Sequence, residues 1–157
     1  MARVYLETSF ISACVTDRED AASVYRRETS LEWWEKQGPR HELVVSTEVL
    51  AELDNPGFRG RDAALAMIEP LGLLAADADA LGLAQVLVRE RVMPGPIDRG
   101  DSMHVAIATV HGTDFIVSWN VRHLANLNKL DHLRAVTMRL GLLPPMIVTP
   151  DLLWESP

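Results

Sequence analysis

Val4-Tyr5-Leu6-Glu7-Thr8-Ser9 decides the fold: a short apolar run, then an acid, then two hydroxyl side chains. A run this short and this apolar reads as a strand buried on both faces, which is the signature of a parallel sheet. Glu7 then falls at the strand's C-terminal end, where open α/β sheets bind their ligands. Thr8 and Ser9 can each bond a carboxylate or a metal-bound water. The same arrangement recurs along the chain. Glu52 lies one short helix after Leu43-Val44-Val45, Asp101 opens the apolar segment Met103 to Val110, and Asn120 follows Phe115-Ile116-Val117. Carboxylates gathered at one sheet edge repel each other, and the repulsion is costly unless a cation or bound protons offset it. The spacing therefore points to a metal site more than to a stabilising feature.

Working outward, short apolar runs alternate with longer helical patterns. Residues 4–6, 43–45, 71–75, 115–117 and 146–148 read as strands, and residues 20–36, 46–53, 61–69, 78–91, 101–111 and 129–140 as helices. This alternation predicts an α/β fold with a mainly parallel sheet between two helical layers. Ser46 or Thr47, Asp62 and Asp77 are candidate N-caps. Gly112 and Gly141 are placed for left-handed C-caps, with Pro144-Pro145 beyond the second. Glu48 and Glu52 are four residues apart on one helix face, which is unfavourable without a compensating cation. In Trp33-Trp34 the neighbouring side chains point about 100° apart, so one packs inward and the other covers a neighbouring helix or a partner.

The totals set limits. A chain of 157 residues with 48% apolar residues suits one domain, residues 1–157. Its apolar runs are too short to span a bilayer, and Met1-Ala2-Arg3-Val4-Tyr5-Leu6 lacks the pattern of a secretory signal. Cys14 is the one cysteine, so no internal disulfide forms. The expectation is a soluble cytoplasmic protein. A net charge of −7 argues against broad, nonspecific nucleic-acid binding but not against a nuclease, whose acidic pocket contributes negative charge itself. Arg59, Arg61, Arg89, Arg91, Arg99, Arg122 and Lys129 are candidates for a local basic rim. The sharpest local signal is Asp101-Ser102-Met103-His104-Val105-Ala106-Ile107-Ala108. Asp101 suits the positive end of a helix, and His104 can orient a carboxylate, bond the backbone or pack. A zinc site built from His104 with His111, His123 or His132 has no familiar ligand spacing. After the run 115–117, Ser118 and Asn120 can ligate weakly or hold water.

Taken together, Tyr5-Leu6-Glu7-Thr8-Ser9, Val45-Ser46 through Glu52-Leu53, Asp101 through Ala106 and Asp114 through Asn120 resemble the PIN-domain family, in the branch of VapC-like toxins of toxin–antitoxin pairs. The tail 144–150 is similar to the end of a PIN subgroup. The resemblance implies a three-layer α/β/α domain and an acidic pocket for Mg²⁺ or Mn²⁺. It implies hydrolysis of RNA phosphodiesters, a small antitoxin covering the pocket, and a homodimer joined through helices. Glu7, Glu52 and Asp101 are then the expected metal ligands, and Glu7, Glu52, Asp101 and Asn120 the expected catalytic set. Thr8, Ser9, Ser118 and His104 support them. Glu7 stands where the family usually has Asp, and Asn120 where it often has an acid. An alternative is a weakened or inactive PIN module that binds RNA or a protein partner. A phosphohydrolase of small phosphate esters has no glycine-rich phosphate loop to support it.

Overall fold

The computed structural model describes residues 1–156. Five strands, β1 (Arg3–Leu6), β2 (Glu42–Ser46), β3 (Gly72–Leu74), β4 (Phe115–Val117) and β5 (Met146–Val148), form one sheet in the order β3-β2-β1-β4-β5. All four pairings are parallel, with Tyr5 opposite Val44 on one side and Ile116 on the other. The central strand is buried from its second residue on, with Val4, Tyr5 and Leu6 at 0% exposure. The helices are α1 (Thr8–Val15), α2 (Ala21–Lys36), α3 (Thr47–Leu53), α4 (Arg61–Ile68), α5 (Ala78–Arg89), α6 (Asp101–Val110) and α7 (Leu127–Arg139). They sandwich the sheet in the three-layer α/β/α arrangement expected from the alternation. None of the described helices is long and apolar enough to cross a membrane.

The winding reverses at the middle of the sheet. Strands β1, β2 and β3 step one way, and β4 and β5 lie on the other side of β1. Two crossovers in opposite directions leave a crevice outside the C-terminal ends of β1 and β4, the switch point of such a sheet. Helix α6 runs through the interior, with every residue from Ser102 to Thr109 buried. A helix apolar all round fits that position.

Local differences from the sequence reading have clear causes. The chain does not loop after β1. Glu7 becomes the N-cap of α1, its carboxylate accepting from the Ser9 backbone N–H at 2.9 Å. The apolar run Phe10, Ile11 and Cys14 then gives this helix its buried face. Asp62 is not a cap. Gly60 holds the N-cap position of α4, and Asp62 sits in the first turn, bonded to Arg61. Ser46 and Asp77 do cap α3 and α5, accepting from Val49 and Ala80. Gly112 and Gly141 take φ of 69° and 74° as left-handed C-cap residues do. Trp33 is fully buried, edge-on to Phe10, and its indole N–H donates to the Leu153 carbonyl at 2.7 Å. Trp34 packs partly buried against the same core. Trp33 thus anchors the C-terminal segment.

Candidate active site

Glu7, Glu52, Asp101 and Asn120 line one open cleft of about 560 Å³ at the sheet's switch point. Each arrives by a different route. Glu7 follows β1, Glu52 comes from the last turn of α3, Asp101 is the first residue of α6, and Asn120 follows β4. Thr8 and Ser9 line the same cleft.

Glu7 is the most enclosed of the acids, at 6% exposure. One carboxylate oxygen accepts from the hydroxyls of Ser9 and Ser118, both at 2.6 Å, and the other from the Ser9 N–H. Ser118 Oγ in turn accepts from the Asn120 N–H at 2.9 Å, and Ser9 Oγ from the Trp119 N–H at 2.8 Å. The two serines stitch the end of β4 to the start of α1 and hold Glu7 between them.

Glu52 is held by Thr8, which donates to it at 2.7 Å, and by His104 Nε2, which bonds the same oxygen. His104 is itself buried at 1% exposure, and its Nδ1 meets the Tyr5 hydroxyl at 2.6 Å. That hydroxyl also meets Ser46 Oγ at 2.7 Å. The directions follow from the acceptors. A carboxylate only accepts, so Nε2 carries a proton, and in the neutral ring Nδ1 accepts from Tyr5. Tyr5 oxygen then accepts from Ser46, whose oxygen takes the Val49 N–H at the start of α3. A continuous buried chain thus runs from the cap of α3 through the central strand and back to the acid at the end of α3. Glu48, expected to oppose Glu52, instead accepts the Gly100 N–H at 2.9 Å.

The electrostatics separate the acids. Burial alone would raise Glu52, but the hydrogen bond and charge of His104 and the hydrogen bond from Thr8 hold its pKa below the ordinary value. For His104, burial acts downward and is outweighed by the Glu52 hydrogen bond and the charges of Glu7, Glu52 and Glu48, which raise it. Asp101 is pushed up, first by burial and then by the charge of Glu7. His104 and His123 act against this, and Glu52 adds to it. Asp101 receives one amide hydrogen bond, from Asn120 Nδ2 at 3.1 Å. Burial drives the Tyr5 phenol well above its ordinary pKa, so it stays protonated in the chain.

Glu7, Glu52 and His104 each bring one ligating atom within 4.8 Å of the others. Both nitrogens of His104 are already engaged by Glu52 and Tyr5, so it orients Glu52 rather than offering a lone pair. Oxygen donors remain: the carboxylates of Glu7 and Glu52, with Asp101 on the same cleft. An all-oxygen, multiply negative set suits Mg²⁺ or Mn²⁺ and does not suit zinc.

The basic residues of the cleft are not those expected. Arg18 and Arg26 line it. None of the seven residues read as a rim lines it, and Arg59 and Arg61 are paired with Asp17 and Asp54. Sequence reasoning also missed Tyr5, Ser46 and Trp119. A phenol inside a run of Val and Leu was the available signal, because a buried Tyr hydroxyl needs a partner.

No protein-family model matches the chain, and no curated protein sequence matches it. Solved structures do. Mycobacterium tuberculosis VapC20, described as a sarcin-ricin loop cleaving toxin, superposes with a TM-score of 0.58 at 22% identity, over 76% of this chain and 92% of that one. VapBC2 from Rickettsia felis, bound to a promoter DNA fragment, gives 0.55 at 13% identity over 76% and 89%. DNA-bound VapBC from Salmonella typhimurium gives 0.54 at 22% identity over 78% and 90%. The chain has the PIN-domain fold of the VapC-like proteins.

Proposed function

We propose that this chain is a metal-dependent endoribonuclease, the toxin of a toxin–antitoxin pair. The observation that carries the reading is the convergence of Glu7, Glu52 and Asp101, remote in sequence, on one cleft at the sheet's switch point. Glu7, Glu52 and Asp101 would hold Mg²⁺ or Mn²⁺. A bound cation of this kind supplies an acidified water and offsets charge on the phosphate. The chain's own residues supply the rest. His104 and Thr8 fix Glu52, Ser9 and Ser118 fix Glu7, and Asn120 holds Asp101 by its amide. Thr8, Ser9, Ser118 and His104 are thus positioning residues, and Asn120 is placed to orient water or the scissile phosphate.

Structural likeness to VapBC assemblies supports a small antitoxin as partner, and a homodimer through helices accompanies this reading. A cytoplasmic location accompanies this reading. The test is cleavage of RNA by the purified chain with Mg²⁺ or Mn²⁺, then with EDTA and with Asp101→Ala. Metal-dependent cleavage abolished in the variant is expected, and cleavage unchanged in Asp101→Ala refutes the assigned role.

A second reading, a PIN module that binds RNA or protein without cutting, has its own support. Glu7 already accepts from three donors, and Asn120 stands in a position suited to a further acid. It requires that no cleavage appear at any concentration of divalent metal and that partner binding survive Asp101→Ala.

A further inference from the structure

The lining of the cleft beyond the carboxylates is built by α1, the turn after it and α2, and it carries two arginines. Their neighbours differ from them in what they bond. Arg27 spends its guanidinium on the carbonyls of Thr16 and Arg18, at 3.0 and 3.1 Å. Arg59 and Arg61, outside the lining of the cleft, pair with acids. Arg26 does neither. Its guanidinium lies over the Trp119 ring, 5.5 Å from the centroid, and no carboxylate pairs with it among the described residues. Trp119 is a rigid seat. Its indole N–H donates to buried Ser30 at 2.8 Å, its backbone N–H donates to Ser9, and Tyr25 packs edge-on against the ring. Arg18 stands nearby, mostly exposed, with only a loose contact to Asp20 at 3.4 Å.

In a chain of net charge −7, an exposed, acid-free guanidinium facing a carboxylate cleft needs a reason. A cation–π contact at an exposed site contributes only ~0.5–1 kcal/mol, too little to require Arg there for stability. What it does is hold the planar fork in place, leaving its N–H edge free for a phosphate. A nucleic-acid strand approaching Glu7, Glu52 and Asp101 meets their repulsion, and cations in the same cleft offset it locally.

We propose that Arg26, seated on Trp119 and assisted by Arg18, is a phosphate-binding subsite that holds the substrate strand against the carboxylates. The identity of the ligand rests on the nuclease reading, and the subsite itself rests on the geometry of this lining.

The test separates the two. Binding of a short fluorescein-labelled single-stranded RNA of mixed sequence is followed by anisotropy in EDTA across a salt series, with wild type, Arg26→Ala, Arg26→Lys and, as a charge-matched control, Arg139→Ala on the far helix α7. Arg26→Ala is expected to weaken binding about 5–10-fold and to lower the slope of log K against log salt by ~0.7, the share of one phosphate contact on a single strand. Arg26→Lys keeps the slope and recovers part of the affinity, and Arg139→Ala changes neither. With Mn²⁺ added, Arg26→Ala raises KM several-fold and leaves kcat nearly unchanged. Wild-type binding with this Arg26 dependence but no cleavage with any metal would sink the nuclease reading and uphold the subsite. Normal cleavage with an unchanged salt slope in Arg26→Ala overturns the subsite alone, the arginine then serving another ligand such as an acidic peptide. Failure of wild type to bind RNA at low salt overturns it as well.

Discussion

Replacing Asn120 with Asp tests whether the acids of the cleft share one electrostatic field. Asn120 donates its amide to Asp101 at 3.1 Å, while its carbonyl accepts from the His123 N–H at 3.1 Å. In Asn120→Asp the second contact survives and the first turns from attraction to repulsion. Two unit charges about 4 Å apart at an effective dielectric near 20 repel by roughly 4 kcal/mol. The cleft is open and Asp101 is only partly buried, so solvent screening reduces this to about half. Losing a hydrogen bond to a charged group adds about 1–2 kcal/mol. The variant should therefore lose about 3–4 kcal/mol in EDTA, a fall in Tm of roughly 6–16 °C for a chain of this size. A divalent cation reverses the sign, because the added charge strengthens its binding and the bound state is stabilised by mass action. Thermal unfolding in EDTA and in a Mn²⁺ titration, with calorimetric measurement of Mn²⁺ affinity, reads both effects. Asn128→Asp, exposed in the first turn of α7, is the control. An acid there meets the positive end of a helix and should shift stability by well under about 1 kcal/mol. If Asn120→Asp melts like wild type in EDTA and gains no more from Mn²⁺, the acids do not act on one another and the metal reading fails.

Tyr5→Phe should cost about 1–3 kcal/mol in urea unfolding, because it leaves the buried Ser46 hydroxyl proton without an acceptor and His104 Nδ1 without a donor; an unchanged midpoint would mean the chain to Glu52 carries no energy. Asp101→Asn should raise Tm in EDTA by a few degrees, about 2–4 °C per kcal/mol relieved, and abolish the Mn²⁺ response. Glu52→Gln, which weakens the acceptor that His104 and Thr8 both use, should lower Tm, and equal behaviour of the two variants would contradict the asymmetry between these acids. Burial pushes the Cys14 thiol up to about 12, so it should resist a disulfide reagent in the folded protein and react on unfolding. Its raised folded pKa stabilises fully below the unfolded thiol's pKa, and that stability is lost as pH rises toward 12. Cys14→Ala should therefore flatten the alkaline stability profile, and an identical profile would show that the thiol is not buried as described.

The elements legible in the sequence are those with strong local signals. Apolar runs marked all five strands, most clearly β1 and β4, whose burial leaves no polar alternation to confuse the reading, while the edge strands β3 and β5 are apolar in sequence though partly exposed. Glu7, Glu52, Asp101 and Asn120 were legible because each sits at the edge of such a run, and a parallel sheet collects strand ends on one side. Helix α1 was not legible, since Thr8-Ser9 reads as a turn until Glu7 is seen to cap the segment that follows. The bonds of Ser46 and His104 to Tyr5 span 41 and 99 residues, and no local pattern encodes such distances. Arg26 was hidden for a different reason. In the run Tyr25-Arg26-Arg27-Glu28 two arginines are chemically identical neighbours, and only the helix phase and the position of Trp119, from a distant loop, decide which one faces the cleft.

The hydrogen bonds also distribute the cost of gathering the acids. Glu7 is satisfied by two serines and a backbone amide, and Glu52 by a threonine and an imidazole supported from within the core. Both have hydrogen-bond donors supplied from within the chain. Asp101 receives one amide hydrogen bond, and burial together with the charges of the other two drives its pKa upward. The uncompensated repulsion is thus concentrated on one side chain rather than spread over three. Such an arrangement keeps two oxygen donors fixed in geometry before any ligand arrives, and it leaves the third as the group with most to gain from a cation. A fold selected only for stability would relieve the repulsion with Asn at position 101, because the preference of a helix start for an acid contributes only about 0.3–1 kcal/mol. The cost retained at Asp101 is therefore the physical reason to read this cleft as a site of chemistry.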